Sequence, residues 1–273
     1  MLLTLSCFHG SVQANMRAPY SEAYSGSGEI HSSIEGLVVM KEVLDFDCDF
    51  PYRGSLDEVR RMVREVRTSA TYWVMAQNAM PAGFDFILTV ERPVVASING
   101  DLAVSGAPIM LKELSGKGWS VPVDSRYKVS FSGGLRAGLN TINVQYVQPM
   151  GVDESFSGIY PFFMTSRFAS HFSYDLSPLR EWVIDDAFTM KVRISFKDNT
   201  GWLKALTGSD YRVRIFGWSK EKAGSGPYDY PGRTRLEIPI SNSVGNSDSG
   251  DIREFQILFR KDFPDTLETR IDY

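Results

Sequence analysis

Residues 43–50 read VLDFDCDF, and the fold class turns on how they are read. Leu44, Phe46, Cys48 and Phe50 alternate with Asp45, Asp47 and Asp49. A period of two puts the apolar side chains on one face of a β-strand and the carboxylates on the other, whereas a helix would scatter both around its axis. The segment therefore reads as a half-buried strand, and free Cys48 as a core residue between two phenylalanines.

The same period recurs on both sides. Val66, Thr68, Ala70, Tyr72, Val74 and Ala76 alternate up to a turn at 78–83, and Phe84, Phe86, Leu88 and Val90 follow as an antiparallel partner. Asn99-Gly100, flanked by Val95, Ile98, Leu102 and Val104, carries the hairpin signal of two residues that accept positive φ. Further strands are predicted around Tyr127, Val129 and Phe131, around Ile142, Val144 and Tyr146, and around Met190, Val192, Ile194 and Phe196. Others follow at Val213 and Ile215, at Leu236, Ile238 and Ile240, and at Phe255, Ile257 and Phe259. One segment departs from this. In 55–67 (SLDEVRRMVREVR), Leu56, Val59, Val63 and Val66 fit a helical stripe, and Ser55 with Glu58 makes a capping box, which predicts a short helix. Its arginines alternate with Asp57, Glu58 and Glu65, an ion-paired face and not a phosphate track.

With 273 residues, 43% hydrophobic and 23% charged, the composition is that of a folded globular protein. The fold class expected is all-β: two antiparallel β-sandwich domains with at most one or two short helices. Pro149-Met150-Gly151 breaks the strand pattern, so the boundary is placed at 149–158, between an N-terminal sandwich at 37–150 and a C-terminal one at 151–273. A net charge of −4 excludes a generally basic surface for nucleic acid.

The first residues bear on compartment. MLLTLSCFHGSV is apolar and uncharged, and Val12-Gln13-Ala14 approximates a small-x-small cleavage pattern, so 1–14 reads as a signal segment. No Lys or Arg precedes Arg17. Leu3-Thr4-Leu5-Ser6-Cys7 offers a degenerate lipoprotein site with Cys7 lipidated, and a buried first strand is the third reading. The Ser- and Gly-rich stretch 15–36 reads as a linker. The expected location is exported: periplasm, cell surface or extracellular, with no transmembrane span and an optional lipid anchor. Removal of 1–14 would leave only Cys48, and no intramolecular disulfide.

The order of TYWVMAQN (71–78), INGD (98–101), LRAGLNTINVQY (135–146) and FSYDLSPLREW (172–182) resembles uncharacterised exported bacterial proteins built from tandem β-sandwich domains. The glycine turn leading into Asn140-Thr141-Ile142-Asn143-Val144 is similar to the closing strand of jelly-roll accessory domains. The resemblance covers roughly residues 60–200 and implies the fold, without a mechanism.

Several groups could carry chemistry. His171 lies in a stretch read as irregular, with Ser166, Ser170, Ser173 and Asp175 nearby, the inventory of a hydrolase site without a Gly-x-Ser-x-Gly elbow. A His between Phe168 and Phe172 is also an ordinary core residue. Asp45, Asp47 and Asp49 stand about 6–7 Å apart along their strand, which suits calcium only if neighbouring loops add oxygen ligands, and is otherwise a solvated face. No other cofactor is implied, and three unpaired histidines make zinc improbable. Asp153-Glu154 and Asp185-Asp186 supply the residue type of glycoside hydrolysis, though adjacent acids point apart. The aromatic run from Phe156 to Trp182, with Tyr160 and Trp182, and the loop tyrosines Tyr228 and Tyr230, would either cap an interface or stack on sugar rings or a protein. Trp202 and Trp218 belong to the same set. Three readings stay open: a non-enzymatic binder of a protein or glycan at the cell surface, a hydrolase of an envelope polymer, and a structural envelope component.

Overall fold

Alternation along the chain becomes three β-sheets in the computed structural model. It describes residues 15–16, 36–48, 65–88, 93–111, 126–157, 165–176, 179–180, 182–197, 212–219, 234–247 and 250–272. Among these there is no α-helix, only a tight turn at 179–180 where Leu179 and Trp182 donate to the carbonyls three residues back. The fold is all-β, as the period of two requires. Glu65–Arg67 at the end of the expected helix open a strand, and the rest of that segment lies outside the described residues.

The central sheet runs in spatial order β16 (Ser241–Ser247), β17 (Gly250–Phe259), β13 (Ile184–Lys197), β2 (Leu37–Cys48), β3 (Glu65–Ala76), β10 (Gly138–Pro149), β5 (Val95–Ile98) and β6 (Asp101–Leu102). An N-terminal sheet is formed by β1 (Asn15–Met16), β4 (Met80–Leu88), β9 (Arg126–Leu135) and β7 (Val104–Ser105), with β8 (Ile109–Leu111) also on β9. The C-terminal sheet has the order β11 (Gly151–Ser157), β12 (Thr165–Asp175), β18 (Thr266–Asp272), β14 (Arg212–Ser219) and β15 (Thr234–Ile238). Asn15 and Met16, at the head of the stretch expected to be a linker, pair with β4.

Among the described residues every ladder is antiparallel except one. β2 and β13 pair in parallel, so strands from both sides of the expected boundary at 149–158 contribute to one sheet. Parallel partners need a long crossover, and here the whole intervening chain supplies it. Phe46 anchors the C-terminal sheet, with ring centroids 5.0 Å from Phe172 and 5.6 Å from Tyr174. Phe86 meets Tyr146 at 5.1 Å and so keys the N-terminal sheet to the same inner face. A single hydrophobic cluster includes residues from all three sheets.

Two local features fix the geometry. Asn99 and Gly100 have φ of 54° and 89°, the left-handed pair that a two-residue hairpin demands. In β2 the register slips between Val39 and Lys41. This bulge reverses the parity of the strand: Leu37 and Val39 face inward before it, and Glu42, Leu44, Phe46 and Cys48 after it.

Candidate functional site

The bulge turns Lys41, Val43, Asp45 and Asp47 to the outer face of the central sheet, beside the polar parity of β3 and β10. Thr71 lies directly across from Asn143, and Ser69 from Gln145. The Asn143 amide donates to Thr71 Oγ1 at 2.7 Å and to Ser69 Oγ at 3.0 Å, while Gln145 Nε2 donates to Asn143 Oδ1 at 2.9 Å. Both Asn143 N–H groups are thereby used. Each hydroxyl that accepts from it keeps its own proton to donate, and Gln145 keeps a second N–H and its carbonyl. The result is a fixed row of donors and acceptors on an outward face.

This row has charged flanks. Trp73, half-buried on β3, carries the Lys41 ammonium over its ring at 4.7 Å. On the β13 side Arg193 grips Asp45 with both Nε and Nη2, the latter at 2.6 Å from Oδ2. The hydrogen bond to Asp45 is the main cause that raises the Arg193 pKa, so the guanidinium stays charged. Beyond it Arg67 and Asp47 stand 3.7 Å apart, both well exposed.

Of the residues singled out from the sequence, Asp45 and Asp47 flank this row. Asp45 and Asp47 each face an arginine, and Asp49 lies outside the described residues. Among the described residues no three His, Cys, Asp or Glu gather as metal ligands would. Cys48 is buried, and burial followed by the Asp47 charge pushes its thiol up, away from the nucleophilic thiolate.

The stretch read as irregular around His171 is strand β12, which lies between β11 and β18. Phe172 and Tyr174 face the core, while His171 and Ser173 on the opposite face are also buried. The period of two therefore holds over 171–175, and serines on both parities, Ser170 and Ser173, blur it in the sequence. The His171 ring lies so close to Gly151 across the ladder that a Cβ there would clash with Nε2.

His171, Ser173 and Asp175 thus share one face of the C-terminal sheet, opposite Arg270, Glu268 and Thr266 of β18. That face is an ion-pair lattice. Asp272 accepts from Arg214 Nη2 at 2.6 Å and from Arg270 Nε at 2.8 Å. Glu268 accepts from Arg235 Nη2 at 2.7 Å and from Trp218 Nε1 at 2.8 Å. The Arg235 guanidinium lies 3.6 Å from the Phe216 ring centroid.

Trp182 is buried and stacks on Phe84 at 6.2 Å, so it serves the core and presents no ring to solvent. Tyr160, Trp202, Tyr228 and Tyr230 lie outside the described residues. Asp185 accepts the backbone N–H of Ala187 at 2.8 Å, and Asp186 pairs with Lys261, which lowers its pKa. Sequence reasoning passed over Ser69, Thr71, Trp73, Asn143 and Gln145, although each sits on the polar parity of a strand the pattern had already defined.

No family model and no curated protein matches the chain. Among solved structures it is similar to a candidate nutrient-binding protein of Legionella pneumophila, with TM-score 0.46 and 8% identity over 87% of this chain and 67% of that one. It is also similar to an M1 zinc metallopeptidase from Deinococcus radiodurans, with TM-score 0.35 and 13% identity, covering 86% of this chain and 42% of that one. The chain therefore spans about two-fifths of the metallopeptidase's length. Among the described residues no helix is long and apolar enough to cross a membrane.

Proposed function

We propose that this chain is a non-catalytic binding protein of the cell exterior that holds a glycan on the outer face of its central sheet. The observation that carries this reading is the row Ser69, Thr71, Asn143 and Gln145, in which an amide spends its own hydrogen bonds on positioning its neighbours. A sugar offers closely spaced hydroxyls that both donate and accept. A rigid row of hydroxyl and amide groups matches them without paying again to order side chains. The exterior location is supported by the apolar leader-like opening at 1–14.

Affinity electrophoresis through gels containing soluble cell-surface polysaccharides tests the proposal. The wild-type protein is expected to be retarded by at least one polymer. Asn143→Ala, which releases two hydroxyls at once, is expected to weaken retention about ten- to a hundredfold, the worth of one or two directed hydrogen bonds. Retardation that Asn143→Ala and Thr71→Val leave unchanged would place the ligand on another surface. An absence of retardation by any polymer in a broad panel would overturn the glycan reading.

A further inference from the structure

Glu42 is an unusual residue to find on the inner face of a sheet. The bulge in β2 points it inward, in one row with Tyr72 of β3 and Met190 of β13. It is 0% exposed, and among the described residues neither carboxylate oxygen reaches a hydrogen-bond partner in good geometry. The titratable groups facing it among the described residues are phenols, Tyr72 from β3 and Tyr174 from β12, whose hydroxyl is 3.1 Å from that of Tyr72, and Tyr146 from β10 stands near both of them. β13 contributes Met190, which does not titrate. Burial pushes the Tyr72 and Tyr174 hydroxyls up, so they stay neutral, and none of these groups brings positive charge.

The position matters as much as the surroundings. β2 is the strand that pairs in parallel with β13 and so joins the first half of the chain to the second. A charge appearing at Glu42 appears at that joint, next to the Tyr72–Tyr174 contact between the central and C-terminal sheets.

We propose that Glu42 is a proton-operated latch, neutral when the β2–β13 joint is closed and loosening that joint when it ionises. Desolvation is the dominant cause that raises its pKa from 4.5 to about 8, and the Tyr72 hydroxyl offsets only part of this. A carboxyl whose pKa is higher in the folded state binds its proton more tightly there than in the unfolded chain. Its contribution is fully present below pH 4.5, the ordinary value, and disappears as pH rises through about 8. Between these limits the folding equilibrium constant falls on the order of a thousandfold from this group alone.

Urea denaturation of the full chain from pH 5 to pH 9 tests the latch, comparing wild type with Glu42→Gln. The wild-type midpoint is expected to fall steadily and level off above pH 8, whereas the variant, neutral throughout, loses that fall. Equal slopes in the two proteins would overturn the proposal. Should Glu42→Gln fail to fold, carbon NMR of glutamate-labelled wild-type protein replaces it. A buried glutamate carboxyl titrating well above the ordinary range supports the latch, and one titrating near 4.5 overturns it. Hydrogen exchange, corrected for intrinsic rates, then locates the effect. Protection lost in β2 and β13 ahead of β4 and β9 supports a joint, and uniform loss overturns that part.

Discussion

β3 and β10 carry polar side chains on both faces, and the two faces treat them in opposite ways. Outside, Asn143 ties Thr71 and Ser69 together, with water free to satisfy whatever remains. Inside, Thr68, Tyr146 and Gln148 are buried with side-chain polar atoms that make no well-formed hydrogen bond among the described residues, and the same holds for Glu42 on the neighbouring strand. Leaving a buried group unpaired costs roughly 1–3 kcal/mol, and more for a charge, so the inner face is where polar substitutions should act on stability. The outer face has already met its needs and is where they should act on recognition.

The largest effect is expected where the inner face carries the sheet contacts. Phe46→Ala removes a ring lodged against Phe172 and Tyr174. It should lower unfolding free energy by about 3–5 kcal/mol in urea titrations. A loss under about 1 kcal/mol would mean that Phe46 is not what keys the C-terminal sheet to the central one. Next in size is a pair of asparagines three residues apart on β10. Asn140 is buried and has all its hydrogen bonds made: it accepts from the Arg136 N–H at 2.8 Å and from Asn99 Nδ2 at 2.9 Å, and donates to the carbonyls of Arg136 at 2.8 Å and Gly138 at 2.9 Å. Asn140→Ala should cost about 2–3 kcal/mol, and Asn143→Ala under about 1 kcal/mol while weakening glycan retention about ten- to a hundredfold. Equal costs in the two variants would erase the distinction between the faces.

How much of this was legible follows from what each feature depends on. The inward set Leu44, Phe46 and Cys48 and the hairpin at Asn99-Gly100 are local, and period and turn chemistry expose them directly. Glu42 was not legible, because its side depends on a bulge within the apolar run 37–40, where no glycine or charge marks the break. β12 was hidden because serines occupy both its parities, Ser170 on one and Ser173 on the other. The joining of the two halves could not be read either, since a parallel pairing of β2 with β13 leaves no turn signal in the chain. The candidate site lies between these cases. The parity of each member could be read, but Thr71 and Asn143 are 72 residues apart, and only the β3–β10 register makes them one row.

The smallest effects belong to charges on the outer face, where they test whether that face is fixed or merely solvated. Asp45 is held by a two-point fork from Arg193, with side-chain exposures of 33% and 42%. Asp47 meets Arg67 at one point, with exposures of 60% and 70%. A two-point pair in partial shelter resists screening, while an exposed single contact competes with water and pays side-chain entropy for little Coulomb gain. Asp45→Asn should therefore cost about 0.5–1 kcal/mol, and Arg67→Ala less than about 0.5 kcal/mol. Raising the salt to 1 M, where the screening length falls to roughly 3 Å, should narrow the gap between them. If Arg67→Ala proved the costlier of the two, the β13 edge of the row would not be the fixed one, and the glycan contacts should be sought beside Arg67 instead.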